Sequence, residues 1–572
     1  MKHSYDSFMS KDVYAQFQME WNQLTHFVLL KFLTIFFIAN NVTSEFECRK
    51  KDFGHGSPVC ICDESYCDKV KPIPEITSDQ VIIYLSSKSG DRLEQSVAHF
   101  SNDIKTKLDD LLITIDLNLS KQSIIGFGGA FTDSTGMNIA QLSEKVQNDL
   151  MDSYFSRDGN LRINARVIKP LSCFAGIEYN IGRVPIASCD FSSRVYSYDD
   201  VDSDFQLQNF TLTEEDFHYK IPFIKIAQTK TSNKLKLFGS PWSAPAWMKT
   251  NKKMAGKGTI IGKPGNKYYE TWAKYFVRFL EEYKKHDIDF WALTMQNEPT
   301  TGFIANYPFQ TTGFTPAMQR DFLKINLGPT LRQSAFNNTK IMILDDNRLL
   351  LPFWADVILR DPDAQQYVSY IAVHWYSDRY TPACKLNITH ARFPDFPLIG
   401  TEACNGFAFW QTRGPILGSW YRAQQYAHSI IEDLNNYFTG WVDWNLALDM
   451  EGGPNWANNT VDSPVIVDKE NNAFYKQPMF YILGHFSKFF TPDSVVLHTE
   501  VQKRYAMETG VEATAALRPD GIVTLVLHNS MMKSVPVKIV QKNDTRSLCL
   551  DLPPHSIQTV LWLRAEEIIN NV

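Results

Sequence analysis

Long hydrophobic runs are scarce in this 572-residue chain. The longest, "FVLLKFLTIFFIA" (Phe27–Ala39), is broken by Lys31 and falls short of the roughly 20 residues a membrane-spanning helix needs. Its length suits the apolar centre of a signal peptide, so residues 1–45 are read as that signal behind an N-terminal extension, with Met19 the more ordinary start. Basic residues never gather into a block and the net charge is −6, which argues against nucleic acid as a partner. No H-E-x-x-H or comparable ligand cluster is present, so neither a metal nor a cofactor is expected. The nearest approach to a dinucleotide loop, "GFGGAF" (126–131), puts Phe131 where close helix–strand packing needs a small residue, and a doubly wound nucleotide fold is set aside.

Cysteine is sparse too, yet four of the nine, Cys48, Cys60, Cys62 and Cys67, crowd into 20 residues rich in Gly, Pro and Asp. Such a segment has little core of its own and gains most from cross-links. A zinc site with His55 is the competing reading, but the C-x-C-x4-C spacing is not a usual finger pattern, and disulfides are favoured. Seven N-x-[S/T] sequons agree with a secretory route.

What is abundant is alternation. From about residue 123, short apolar segments alternate with longer helical patterns: "SIIGFGG" (123–129), "YNIGRVP" (179–185), "LKLFGSP" (235–241), "IDFWALTMQ" (288–296), "KIMILDD" (340–346), "SYIAVHWY" (369–376), "FPLIGTE" (396–402) and "GWVDWN" (440–445). Eight strands with helices between them predict a closed parallel barrel. In the helical pattern "YYETWAKYFVRFLEEYKKHD", Trp272, Tyr275, Phe276, Phe279, Leu280 and Tyr283 recur at helical spacing and are read as core. Residues 81–117 and 494–563 show strands and turns without long helices, including a hairpin turning at Pro519-Asp520-Gly521, and predict a β-sandwich built from both flanks.

In such a barrel the chemistry sits at the C-terminal ends of the strands. Those ends carry Arg183, Trp242, Asn297 with Glu298, Asp345 and Asp346, His374 with Trp375 and Tyr376, Glu402, and Trp444, and no Ser-His-Asp arrangement. Two glutamates among aromatics suit glycoside hydrolysis, which needs one carboxyl for the leaving oxygen and another opposite. A structural ion pair explains either glutamate singly, but both together at strand ends less well.

The stretches "TMQNEPTTGFIANYPFQTTGFTP", "LIGTEACNGF", "GWVDWNLALDMEGGPNW", "NIGRVPIASCDF", "SPWSAPAWMKTN" and "FYKQPMFYILGHFSKF" resemble the acid β-glucosidases (glucosylceramidases) of glycoside hydrolase family thirty, over about residues 46–563. The resemblance implies an α/β fold. A catalytic (β/α)8 TIM barrel (122–445 plus 478–493) joins a β-sandwich (74–121 plus 494–572) and a small antiparallel β module with disulfides (46–73 plus 446–477). It also implies a retaining mechanism with Glu298 as acid/base and Glu402 as nucleophile. Asp190, Trp242, Asn297 and Trp444 are then expected around the glucose, Tyr307, Phe309, Tyr376 and Asn459 at the cleft rim, and Arg183 and His374 behind the glutamates. The implied substrate is glucosylceramide, met at an anionic lipid surface of the lysosome with a saposin-type activator. The same chemistry on a sterol glucoside or oligosaccharide, and an inactive glycolipid-binding protein, are the alternatives. Three features depart from the family pattern. Residues 160–175 ("NLRINARVIKPLSCFA") are inserted and are read as a gene-model error, while Phe407 and Thr460 replace a small polar residue and an aromatic near the entrance.

Overall fold

A computed structural model describes residues 46–101, 111–157, 161–163, 166–168, 176–231, 234–408, 410–502 and 510–564. The chain divides into two compact units, Met1–Cys48 and Arg49–Val572. The signal-peptide reading falls outside the described residues. Of the inserted stretch, only an antiparallel ladder between Leu161–Ile163 and Arg166–Ile168 lies within them.

Eight parallel strands close into a barrel: β1 Gly126–Ala130, β2 Ile181–Ile186, β3 Lys236–Pro241, β4 Ala292–Thr294, β5 Lys340–Asn347, β6 Val368–His374, β7 Leu398–Glu402 and β8 Phe438–Asn445. Each pairs with its neighbours in sequence, and β8 closes on β1. Every expected strand is present, but β4 is shorter than "IDFWALTMQ" suggested. After Thr294 the chain leaves the ladder, and its N–H groups turn to strand ends on either side: Asn297 N donates to Pro241 O, and Glu298 N to Asp345 O, both at 2.9 Å.

The barrel interior explains how an apolar plug gives way to a polar site. Ile181, Phe238, Ala292, Met342, Ala372, Ile399 and Val442 form one buried cluster, with one residue from each of seven strands. A strand repeats its facing every two residues, so the next inward positions are Arg183, Ser240, Thr294, Leu344, His374, Thr401 and Trp444. The apolar floor is thus roofed, one layer up, mostly by polar groups. Register shifts at Leu344/Asp346 in β5 and at Val373/His374 between β6 and β7 alter this alternation near the strand tips, where bulges re-aim side chains.

On the barrel's outside, the helix Lys267–Lys284 buries all six residues of its expected aromatic and aliphatic stripe. It starts at Asn266, whose side chain accepts from the N–H groups of Tyr268 and Tyr269.

Nine strands from the two flanks form one sheet, in which Leu111–Ser123 pairs with Val495–Gln502. Side chains from strands far apart in its order, Val81 and Ile83 on the strand next to one edge and Leu548 and Leu552 on the strand at the other edge, share a single core. The sheet therefore folds over itself as a sandwich. Its hairpin between Val511–Leu517 and Ile522–Asn529 turns where expected, with Gly521 at a φ of 82°. A third sheet joins Lys50–Lys51 and Val59–Asp63 to Leu448–Asp449, Val465–Asp468 and Ala473–Lys476. A Cys62–Cys67 disulfide sits in it, and Cys48 and Cys60 are disulfide-bonded as well. The cysteines are therefore cross-links and not zinc ligands. No helix among the described residues is long and apolar enough to cross a membrane.

Candidate active site

A cavity of about 260 Å3 opens at the C-terminal end of the barrel. Both glutamates and all eight residues expected around the glucose and at the rim line it: Glu298 and Glu402 with Asp190, Trp242, Asn297, Tyr307, Phe309, Tyr376, Trp444 and Asn459. Phe191, Cys404, Phe407 and Val461 complete the wall. Arg183 and His374 do not line it and instead lie buried against the two glutamates.

The strand ends bring the two glutamates close. Glu298, His374 and Glu402 each present an atom within 4.8 Å of the others. Glu298 reaches this position with a φ of 40°, in the left-handed region that costs a non-glycine residue about 1–3 kcal/mol and clusters at functional sites. Asp345 does the same at 56°. At Asp345, one position out of phase with the inward-facing Met342 and Leu344, the left-handed backbone brings a carboxyl inward where ordinary strand geometry would not.

Behind the glutamates is a closed charge network. Arg183 donates from Nη1 to Glu402 Oε2, and from Nη2 to Asn297 Oδ1 (2.8 Å) and Asp345 Oδ2 (2.9 Å). Tyr376 Oη donates to the other Glu402 oxygen at 2.6 Å. His374 lies between two carboxyls, with Nδ1 at 3.3 Å from Glu298 Oε1 and Nε2 at 3.0 Å from Asp345 Oδ1. Asp345 also accepts from Thr294 (2.6 Å) and Thr401 (2.8 Å). The Arg183 guanidinium lies 4.9 Å from the Trp242 ring and 5.4 Å from that of Trp444, which stack on each other.

Burial is the largest influence on Glu402 and pushes its carboxyl above the ordinary range, while the charges of Arg183 and His374 pull it back. For His374, burial alone would lower the pKa, but the surrounding Glu402, Asp345 and Glu298 carboxyls together push it up to about 10. Asp345 is held far below the usual carboxylate range: burial opposes this, and Arg183 and His374 outweigh it. Burial raises Asp190 to about 7, against hydrogen bonds from Asn459 (2.9 Å) and Asn455 (3.3 Å). The Glu298–His374–Glu402 trio presents one possible ligand atom each, close enough together to hold a metal ion.

Other positioning groups were not picked out in the sequence. Asp345 appeared among the strand ends without a role. Gln310 had no signal, because it sits in a loop without periodicity. Its buried amide donates to Ser188 Oγ (2.8 Å) and Cys189 O (2.9 Å) and accepts from Trp456 Nε1 (3.0 Å). It thereby ties the loop bearing Phe309 to those bearing Asp190 and Asn459.

A closed barrel presenting two carboxyls across a sugar-sized cavity is the architecture of a glycoside hydrolase. The chain belongs to glycosyl hydrolase family 30: that family's TIM-barrel domain matches residues 124–490 and its beta sandwich domain residues 493–560. The lysosomal acid glucosylceramidase of Mus musculus is 47% identical over 519 residues, 90% of this chain and 96% of its own. Among solved structures, SrfJ from Salmonella typhimurium is similar at a TM-score of 0.74 and 26% identity, over 86% of this chain and all of its own. The endo-beta1,6-glucanase BT3312 is similar at 0.71 and 25%, with the same coverage.

Proposed function

We propose that this protein is a retaining β-glucosidase that hydrolyses glucosylceramide to glucose and ceramide, with Glu402 as nucleophile and Glu298 as acid/base. The observation that carries this reading is the closeness of the glutamates, which present carboxylate oxygens within 4.8 Å of each other in a cavity of about 260 Å3. Retaining enzymes hold their carboxyls about 5–5.5 Å apart, whereas inverting ones leave roughly 6.5–9.5 Å for a water.

In the first step Glu402 attacks the anomeric carbon as the glycosidic bond breaks, and the proton on Glu298 passes to the departing ceramide oxygen. Each Glu402 oxygen is held by one donor, which leaves lone pairs for attack. With that proton on Glu298, the cations Arg183 and His374 balance the anions Asp345 and Glu402. In the second step Glu298 takes a proton from water, whose oxygen displaces Glu402 and frees glucose. Among the described residues Asn297 Nδ2 makes no hydrogen bond while its Oδ1 is fixed by Arg183, so the amide is oriented to donate to a sugar hydroxyl.

The substrate and a lysosomal site of action are supported by the 47% identity to the mouse lysosomal acid glucosylceramidase. Work at an anionic membrane surface with a saposin-type activator extends the same reading. The test is Glu402→Gln with a mechanism-based fluorescent glucoside: wild type should be labelled covalently and release glucose from glucosylceramide, and the variant should do neither. Labelling that survived the change would remove Glu402 as nucleophile.

A further inference from the structure

Cys404 lies two residues beyond the end of β7, and Tyr376 two beyond the end of β6. These strands pair in parallel with His374 beside Glu402, so the same step of two brings tyrosine and thiol side by side next to the carboxyl. Tyr376 Oη and Cys404 Sγ stand 3.5 Å apart, within hydrogen-bond range for sulfur. The cysteine is pinned in place. Trp444 N donates to Ala403 O at 2.8 Å, and Trp375 Nε1 to Cys404 O at 3.1 Å. Its side chain is free of any disulfide and packs in one buried cluster with Trp242, Trp444 and Val461.

Which of the two groups donates follows from counting protons. A tyrosine has one O–H, and Tyr376 gives it to Glu402 at 2.6 Å, the short range of a donor to a charged oxygen. Its oxygen can then only accept from the thiol. Burial pushes the Cys404 thiol well above its ordinary range, so its proton stays on sulfur at neutral and acid pH. Among the described residues no other group makes a hydrogen bond with this sulfur. The result is a chain of two donors, S–H to Oη and O–H to Oε1, that ends on the carboxylate. Donors in series polarise one another, by about 10–30% per bond.

We propose that Cys404 is a positioning residue for the hydrolytic reaction, whose thiol strengthens Tyr376 as a donor and so helps Glu402 depart from the sugar. The inference rests on reading Glu402 as the nucleophile. In the first step the carboxylate loses charge as its oxygen bonds the anomeric carbon. In the second, the oxygen of water bonds that carbon and its proton passes to Glu298. The ester bond breaks, and its electron pair returns to Glu402. The bond from Tyr376 tightens as that negative charge returns, so the relay favours the second step over the first.

The experiment traps the glucosyl-enzyme with 2-deoxy-2-fluoro-β-glucosyl fluoride, removes the excess and follows the return of activity. Cys404→Ala should recover about threefold more slowly than wild type, a size in keeping with one strengthened bond. Cys404→Ser keeps a donor in little more than the volume of alanine, so it should recover at a rate between the two, and it serves if the alanine variant folds poorly. Tyr376→Phe removes the middle of the chain, so adding Cys404→Ala to it should slow recovery no further. The acid limb of kcat/KM on an aryl glucoside should move up by about half a pH unit in Cys404→Ala, the same threefold, because Glu402 then holds its proton more readily. A cysteine that serves packing alone would slow recovery equally with and without the Tyr376 hydroxyl and leave the acid limb in place, which overturns the relay. An unchanged rate in Cys404→Ala, or a serine variant no faster than alanine, overturns it as well. Wild-type protein that takes no label removes Glu402 as nucleophile, and this inference with it.

Discussion

Arg183 Nη2 and Asp345 Oδ2 stand 2.9 Å apart in a pair from which solvent is all but excluded. Asp345 also accepts from His374, so a single carboxylate anchors both cations that touch the glutamates. Asp345→Asn keeps the shape and removes the charge. Breaking a buried pair on one side costs about 3–5 kcal/mol, and denaturant unfolding should show a loss of that size. With Arg183 and His374 less well held, kcat/KM should fall about a hundredfold, a size seen when a positioned transition-state group is lost. A variant within 1 kcal/mol of wild type would deny Asp345 the role of counter-charge.

The displaced pKa values set a direction for stability against pH. Asp190 and Asp433 are both raised to about 7, chiefly by burial. A raised carboxyl contributes stability that is full below its ordinary value near 3.8 and fades as the pH climbs through 7. Each loses about 1.4 kcal/mol per pH unit within that window. His374, raised to about 10, adds a loss that begins above 6.5. His485 opposes them: burial between Ser86 and Thr559 lowers it to about 3, which favours folding as the pH rises from 3 to 6.5. Two carboxyls outweigh one imidazole between pH 5 and 7. The melting temperature should therefore be several degrees higher at pH 5 than at 7, and scanning calorimetry showing the reverse would contradict this balance.

The barrel was legible because its strands are short apolar runs, and a period of two carries each from the buried floor to the site. Ile181 to Arg183, Ala372 to His374 and Val442 to Trp444 are such steps. The acids Glu298 and Glu402 stood out at strand ends. What could not be read were the positions where the chain departs from regular geometry. No sequence pattern announces the left-handed φ of Asp345, and nothing told it apart from Asp346 beside it. The loops that close the cavity were equally silent, since the Gln310 contacts join residues 122 and 146 positions apart.

Gln310 joins three loops, none of which touches the glutamates through it. Its loss should loosen the cavity wall while leaving the charge network in place. Gln310→Ala is expected to raise KM for aryl glucosides about tenfold, in keeping with about 1.4 kcal/mol, with kcat changed less than threefold. Gln310→Glu keeps the acceptor for Trp456 but sets a buried carboxylate against the Cys189 carbonyl, so it should raise KM at least as far as the alanine does. A parallel collapse of kcat and kcat/KM would place Gln310 in general folding rather than in substrate positioning.

The division of labour between the glutamates is open to a sharper measurement. Glu298 meets His374 at 3.3 Å and Tyr307 Oη at 3.3 Å, and touches neither Arg183 nor any other donor to Glu402. Glu298→Ala should therefore leave the nucleophile and its partners standing. An aryl glucoside with an acidic phenol needs little protonation to depart, so the first step should survive on it, while the second slows for want of a base. The glucosyl-enzyme should then accumulate and be visible by intact-protein mass spectrometry. Azide, a nucleophile that carries no proton, should relieve the block and yield β-glucosyl azide, with a rise in kcat of roughly tenfold or more within the 10²–10⁴-fold that acid–base catalysis contributes. An α-linked azide product would mean a single displacement from the opposite face, and the close spacing of the two carboxyls would have been misread.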